Sequence, residues 1–123
     1  MYTEPGPNRI SHQYQGKTYY FDVASLDRTL QKTAEKDIVV AGILLVGKAN
    51  VAPDSKIGHL MQHPSMEQSA IFSMPDMTDP ESVNCYAAAI DFLASRYSQP
   101  DKKYGRIHHW IMHNEVDAGL HWT

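Results

Sequence analysis

The chain has 123 residues, 42% of them hydrophobic and 20% charged, which suits one globular domain or part of one. A formal net charge of −3, with 11 basic residues spread along the sequence, offers no cationic patch to a nucleic-acid backbone or an anionic membrane, so neither is expected as a partner. The lone cysteine, Cys85, has no intrachain partner for a disulfide, and the longest apolar run, "IVVAGILLVG", falls far short of the ~20 residues that a transmembrane helix needs.

The first residues, "MYTEPGPNRI", lack the basic start and apolar middle of a signal peptide, and the sequence assigns no compartment. In "YQGKTYYF", Gln15 and Gly16 stand between Tyr-rich flanks, which predicts a hairpin or a turn into an extended segment. Next, "SLDRTLQKTAEKD" spaces Leu26, Leu30 and Ala34 four apart, with Ser25 available as N-cap and Asp27 in the first turn, where a helix dipole favours negative charge. A one-sided surface helix is expected there. Behind it, residues 38–46, "IVVAGILLV", form a β-branched run without polar alternation, the pattern of a strand hidden on both faces.

From 47 to 77 the periodicity dissolves, and this stretch reads as a long loop with a functional role. Then "TDPESVNCYAAAIDFLASRYS" opens with Thr78 and Glu81 in capping-box spacing and carries apolar residues at helical intervals from Val83 to Tyr97. After the turn "QPDKKYG", the run "RIHHWIMH" reads as a second central strand. Helix, buried strand, long loop, helix, buried strand is the order of a parallel α/β sheet, with 38–46 and 107–113 side by side and the 78–98 helix crossing between them. Ligands of such sheets bind at the C-terminal strand ends. There the 47–77 segment leaves the first strand, and Asn114 and Glu115 follow the second.

A carboxylate at that edge, with an amide as its neighbour, suits general acid/base work on a hydroxyl-rich substrate. The competing reading is local: Glu115 caps a turn and Asn114 satisfies nearby backbone. His63 and His59 lie in the loop, either lining a sugar subsite or packing the loop on itself. His113 precedes the pair, and Trp122 follows it as a candidate platform for a sugar's C–H face. His109, His113 and Glu115 at alternate positions also admit a metal-binding module, although no well-specified metal spacing is present. No cofactor is otherwise implied.

The stretch "YAAAIDFLASRYSQPDKKYGRIHHWIMHNEVDAG" resembles the helix, turn and fourth strand of the clan A glycoside hydrolases, (β/α)₈ barrels in which a strand ends in Asn-Glu. With "GKTYYFDVASLDRTLQKTAEKDIVVAGILL", which looks like the preceding helix and third strand, it is most similar to an uncharacterised bacterial family of glycosidase-like barrels. The resemblance implies an α/β fold, a partial TIM (β/α)₈ barrel with parallel strands, and a chain that is one partial domain, 1–123, covering roughly strands two to four. It further implies a carbohydrate substrate, with Glu115 as general acid/base and Asn114 on the sugar hydroxyl beside the anomeric carbon. His113, His63 and Trp122 would complete the substrate contacts. Retaining hydrolysis needs a second carboxylate about 5 to 5.5 Å from the first, and in that clan it stands on a later strand, beyond this chain. A non-catalytic carbohydrate-binding protein is the remaining alternative.

Overall fold

A computed structural model of the chain describes residues 1–113, so Asn114, Glu115 and Trp122 lie outside the described residues. The chain begins with a hairpin of β1 (Ile10–Tyr14) and β2 (Lys17–Phe21), paired antiparallel from Ile10↔Phe21 to Tyr14↔Lys17. Gln15 and Gly16 form the two-residue turn, both at positive φ (46° and 78°), as the primed hairpin turns demand. Helix α1 (Ala24–Glu35) follows. Its N-cap is Val23, without a side-chain cap, so Ser25 does not take the capping role that its position suggests. Strand β3 (Ala41–Leu44) and the two-residue β4 (Val46–Gly47) come next, then a 3-10 turn at Ala49–Val51. They are followed by α2 (Ser55–Met61), β5 (Phe72–Ser73), α3 (Pro80–Tyr97) and β6 (His109–Met112).

The parallel pair expected from the sequence is present. β3 and β6 run side by side and parallel, in register from Ala41↔His109 to Leu44↔Met112, with α3 between them in the chain. The barrel is not. Among the described residues the strands form three separate two-stranded sheets, and the other two, β1–β2 and β4–β5, are antiparallel. A barrel requires each parallel strand to be flanked on both sides, whereas among the described residues β3 and β6 have only each other. The cause lies in the apolar run. Instead of one strand over 38–46, the chain breaks at Leu45, and Val46–Gly47 turns away to pair with β5. Nor is the 47–77 stretch an irregular loop: Asp54 accepts from the amides of Lys56 and Ile57 and starts α2, whose Ile57 and Met61 are buried.

Two clusters hold these elements. In the larger, Phe21 of the hairpin stacks on Phe92 of α3, centroids 4.0 Å apart, among Tyr19, Val46, Ile57, Met61, Cys85 and Ala88. Helix α3 starts at Pro80, with Asp79 rather than Thr78 as its cap, accepting from the amides of Glu81 and Ser82. The smaller cluster packs Leu30 of α1 against Tyr97 and Ile107, with Val40 and Trp110 at its margin. An ion pair reinforces it. Arg96 donates through Nε (2.9 Å) and Nη2 (2.7 Å) to the two oxygens of Asp27, and the Tyr97 hydroxyl donates to the same carboxylate at 2.7 Å. The guanidinium lies 3.5 Å over the Tyr104 ring. Between α3 and β6, Gly105 adopts φ +89° and passes so close to α1 that a Cβ would stand 2.3 Å from the Leu30 carbonyl carbon. That turn accepts only glycine.

The outer face of the parallel pair is open. Ile43 and Ile111, cross-strand partners, are 48% and 40% exposed, and Val39 just before β3 is 65% exposed. Parallel strands are normally covered on both faces, so this apolar patch favours association. Ile43→Lys and Ile111→Lys are expected to lower concentration-dependent self-association and the binding of a hydrophobic dye, read by light scattering and fluorescence; unchanged values would show the patch to be inert.

The Arg96 fork, then the Tyr97 hydroxyl, hold the Asp27 carboxyl below its ordinary range against the opposing effect of burial. A carboxyl whose folded pKa is depressed contributes stability above its unfolded pKa and loses that contribution as pH falls through the folded one. Asp27→Asn is expected to cost about 1.5 to 3 kcal/mol at neutral pH. It should also remove part of the stability lost on acidification below the ordinary aspartate value of 3.8, as followed by denaturant melts across that range. An acid limb identical to that of the wild type would contradict this.

Candidate functional site

β3 and β6 end together at Leu44 and Met112, and the chain beyond each end is tied to the other. The amide of His113 donates to the Leu44 carbonyl at 3.1 Å. His113 then takes φ +73°, a left-handed conformation that is uncommon outside glycine and polar turn residues. Its ring is buried, and Nε2 meets the Ser73 carbonyl at 3.1 Å. A carbonyl only accepts, so Nε2 carries the hydrogen.

Ser73 is fully buried and joins three segments. Its carbonyl receives the His113 ring, while its Oγ accepts the His63 amide at 2.9 Å and donates to the Met74 carbonyl at 2.8 Å. The His63 amide also reaches Met74 O at 3.0 Å. The His63 ring accepts the Ser65 amide on Nδ1 at 3.1 Å, which puts its own hydrogen on Nε2. The 47–77 segment is thus held at the C-terminal end of the parallel pair, where sequence order suggested it would be.

The structure brings two of the five expected site residues together, His63 and His113, through Ser73. Neither approaches as a bare side chain: His113 is committed to a backbone carbonyl, and His63 reaches Ser73 through its amide. Asn114, Glu115 and Trp122 follow His113 in sequence and lie outside the described residues. His109 is exposed whereas His113 is buried, so the alternation that would aim both rings one way ends at Met112. No group of three or more potential metal ligands occurs among the described residues. Ser73 escapes sequence reasoning, because a serine in an aperiodic stretch carries no signal of its partners.

Two hollows are lined in part by the 47–77 segment. One, of about 290 Å³, is apolar and lined by Leu44, Val46, Ile57, Met61, Tyr86 and Leu93. The Tyr86 hydroxyl is buried without a hydrogen-bond partner among the described residues, and burial pushes its pKa up, keeping it a neutral donor. The other, of about 220 Å³, is polar and lies where the 3-10 turn faces α2 and the chain beyond it. Burial likewise raises the Cys85 thiol, whose Sγ is 3.9 Å from the Tyr19 hydroxyl inside the core, which marks it as a packing residue.

Comparison with protein families gives one match, a family of unknown function, DUF5722, over residues 1–123. The chain belongs to this family. Neither the curated proteins nor the solved structures yield a match. Within this DUF5722 chain, His113 meets the 47–77 segment at Ser73.

Removing the His113 ring takes the Nε2 donor from the buried Ser73 carbonyl. His113→Ala is expected to speed amide exchange at His63, Phe72 and Ser73 about tenfold, the equivalent of ~1.4 kcal/mol. Ser73→Ala, which keeps the carbonyl, should do less. Exchange rates unaltered by His113→Ala would mean that the ring does not hold the segment.

Proposed function

We propose that this DUF5722 protein is a glycoside hydrolase acting on O-glycosidic bonds by a retaining two-carboxylate mechanism, with Glu115 as general acid/base and Asn114 binding the sugar hydroxyl beside the reacting carbon. One observation supports it most: β6 runs parallel to β3, and the residue that follows it, His113, is fastened to the 47–77 segment at Ser73. The sequence continues from His113 directly into Asn114 and Glu115. Strand ends of this kind in parallel sheets are where ligands gather. In this reading His63 and Trp122 line the sugar, His113 sets the direction of the chain entering the catalytic pair, and the nucleophilic carboxylate comes from outside residues 1–123.

In the first half-reaction Glu115 gives its proton to the departing glycosidic oxygen while the nucleophile attacks the anomeric carbon. In the second, the same carboxylate takes a proton from water, which displaces the enzyme from the sugar. The protonation is worth typically about 10² to 10⁴ in rate for a poor leaving group. In the full-length protein, Glu115→Gln is therefore expected to lose activity on unactivated glycosides. It should still release an activated aryl leaving group in a first-turnover burst and recover turnover when azide, a nucleophile that needs no base, takes the place of water. Equal loss on both substrate types without azide rescue, or full activity on both, would refute the assignment.

A second reading, carbohydrate binding without catalysis, draws on the polar hollow. It expects sugar binding that Glu115→Gln leaves intact and no hydrolysis in any form of the protein.

A further inference from the structure

The polar hollow is lined by Lys48, Asn50, His59, Gln62, Met66 and Gln68, and no carboxylate borders it among the described residues. The atoms that these side chains have left to offer are set by what they already hold. The Gln62 Oε1 accepts the Ala49 amide at 2.9 Å, so its NH₂ is the end left to donate. The His59 Nδ1 meets the Ser55 carbonyl at 2.7 Å, so Nδ1 carries the hydrogen, and in the neutral ring Nε2 presents a lone pair. The Lys48 ammonium donates to the Gln68 carbonyl, which anchors it across the hollow. Lys48 is half-buried, yet no carboxylate pairs with it among the described residues. One of the three ammonium donors is used on that carbonyl, which leaves two for a ligand.

We infer that this hollow binds an acidic sugar unit, a uronate, with Lys48 and the Gln62 amide on the carboxylate and the His59 imidazole accepting from a ring hydroxyl. The ligand must carry both an anion, to answer Lys48, and a hydroxyl donor, to answer the His59 lone pair. Sulfate, an anion without a hydroxyl, supplies only the first, and a neutral sugar only the second. The volume of about 220 Å³ suits a single sugar ring rather than an oligosaccharide. That the ligand is a sugar rests on the glycan reading above; the requirement for a negative charge and a hydroxyl does not. The hollow follows β4 directly, and its Gln62 adjoins His63, whose amide is bonded to Ser73; on the glycan reading it is a subsite for a unit of the chain being cleaved or bound.

The test is a titration of the full chain with a methyl uronide, the matching neutral methyl glycoside and inorganic sulfate, followed by calorimetry and by the side-chain NMR signals of Lys48 and His59. The uronide is expected to bind saturably, shift both signals, and bind at least about tenfold more tightly than the neutral glycoside. Lys48→Met should erase that preference and Lys48→Arg retain most of it, with thermal melts confirming that both variants are folded. Equal affinity for the two glycosides, absence of uronide binding, or sulfate binding as tightly as the uronide would overturn the site. Glu115→Gln separates the two proposals. If it leaves hydrolysis unchanged while the uronide preference persists, only the catalytic assignment falls. If it abolishes hydrolysis in a protein with no uronide preference, only this subsite falls.

Discussion

The carboxylate of Asp27 is the point on which the rest of the structure depends. It sits on the first turn of α1 and is gripped by the Arg96 fork and the Tyr97 hydroxyl from the last turn of α3. Arg96 in turn lies over Tyr104, the residue before the tight turn at Gly105. One carboxylate therefore fixes the angle between two helices and the path of the chain that leaves the second. The Ile107 amide bonds the Tyr97 carbonyl at 3.0 Å, and the His108 and His109 amides bond Val40 O at 2.9 and 3.2 Å, so β6 enters beside β3 in parallel register. Any site at the C-terminal end of that pair inherits its geometry from this anchor.

What could be read in the sequence was whatever local chemistry decides. Gln15-Gly16 specifies a primed turn, the spacing of Leu26 and Leu30 gives α1, and the apolar intervals from Val83 to Tyr97 give α3. The parallel relation of β3 and β6 also followed, because two apolar strands separated by one helix have few other arrangements. The barrel did not follow. A run such as "IVVAGILLV" looks like one deeply buried strand, but nothing in its composition shows that it changes partners at Leu45 or that Ile43 and Val39 stay open to solvent. Helix α2 was more accessible than its reading as loop allowed: Asp54 is a strong N-cap, and Ile57, Leu60 and Met61 fall at helical spacing behind it.

The candidate site divides in the same way. Asn114 and Glu115 stand out because of their place after an apolar strand, a signal of order that needs no contacts. The linkage through Ser73, and the hollow around Lys48 and Gln62, depend on residues brought together across 10 to 40 positions by a segment without periodicity. Such groupings are set by tertiary packing, and only coordinates disclose them. They also change the meaning of His113. In sequence it is a possible substrate ligand; in the fold its ring is a strut, and its positive φ turns the chain at the very point where Asn114 begins.

We propose that sugars are handled where the chain leaves β6, with Glu115 as the proton donor. An affinity label tests it most directly: a glycoside carrying an epoxide or bromoacetyl group on its aglycone, incubated with the full-length protein, followed by mass-spectrometric mapping of the modified residue. Covalent modification of Glu115 is expected, slowed by the corresponding free sugar and absent in Glu115→Gln. Labelling elsewhere that the sugar protects equally well, or no sugar-protected labelling of Glu115, would contradict it.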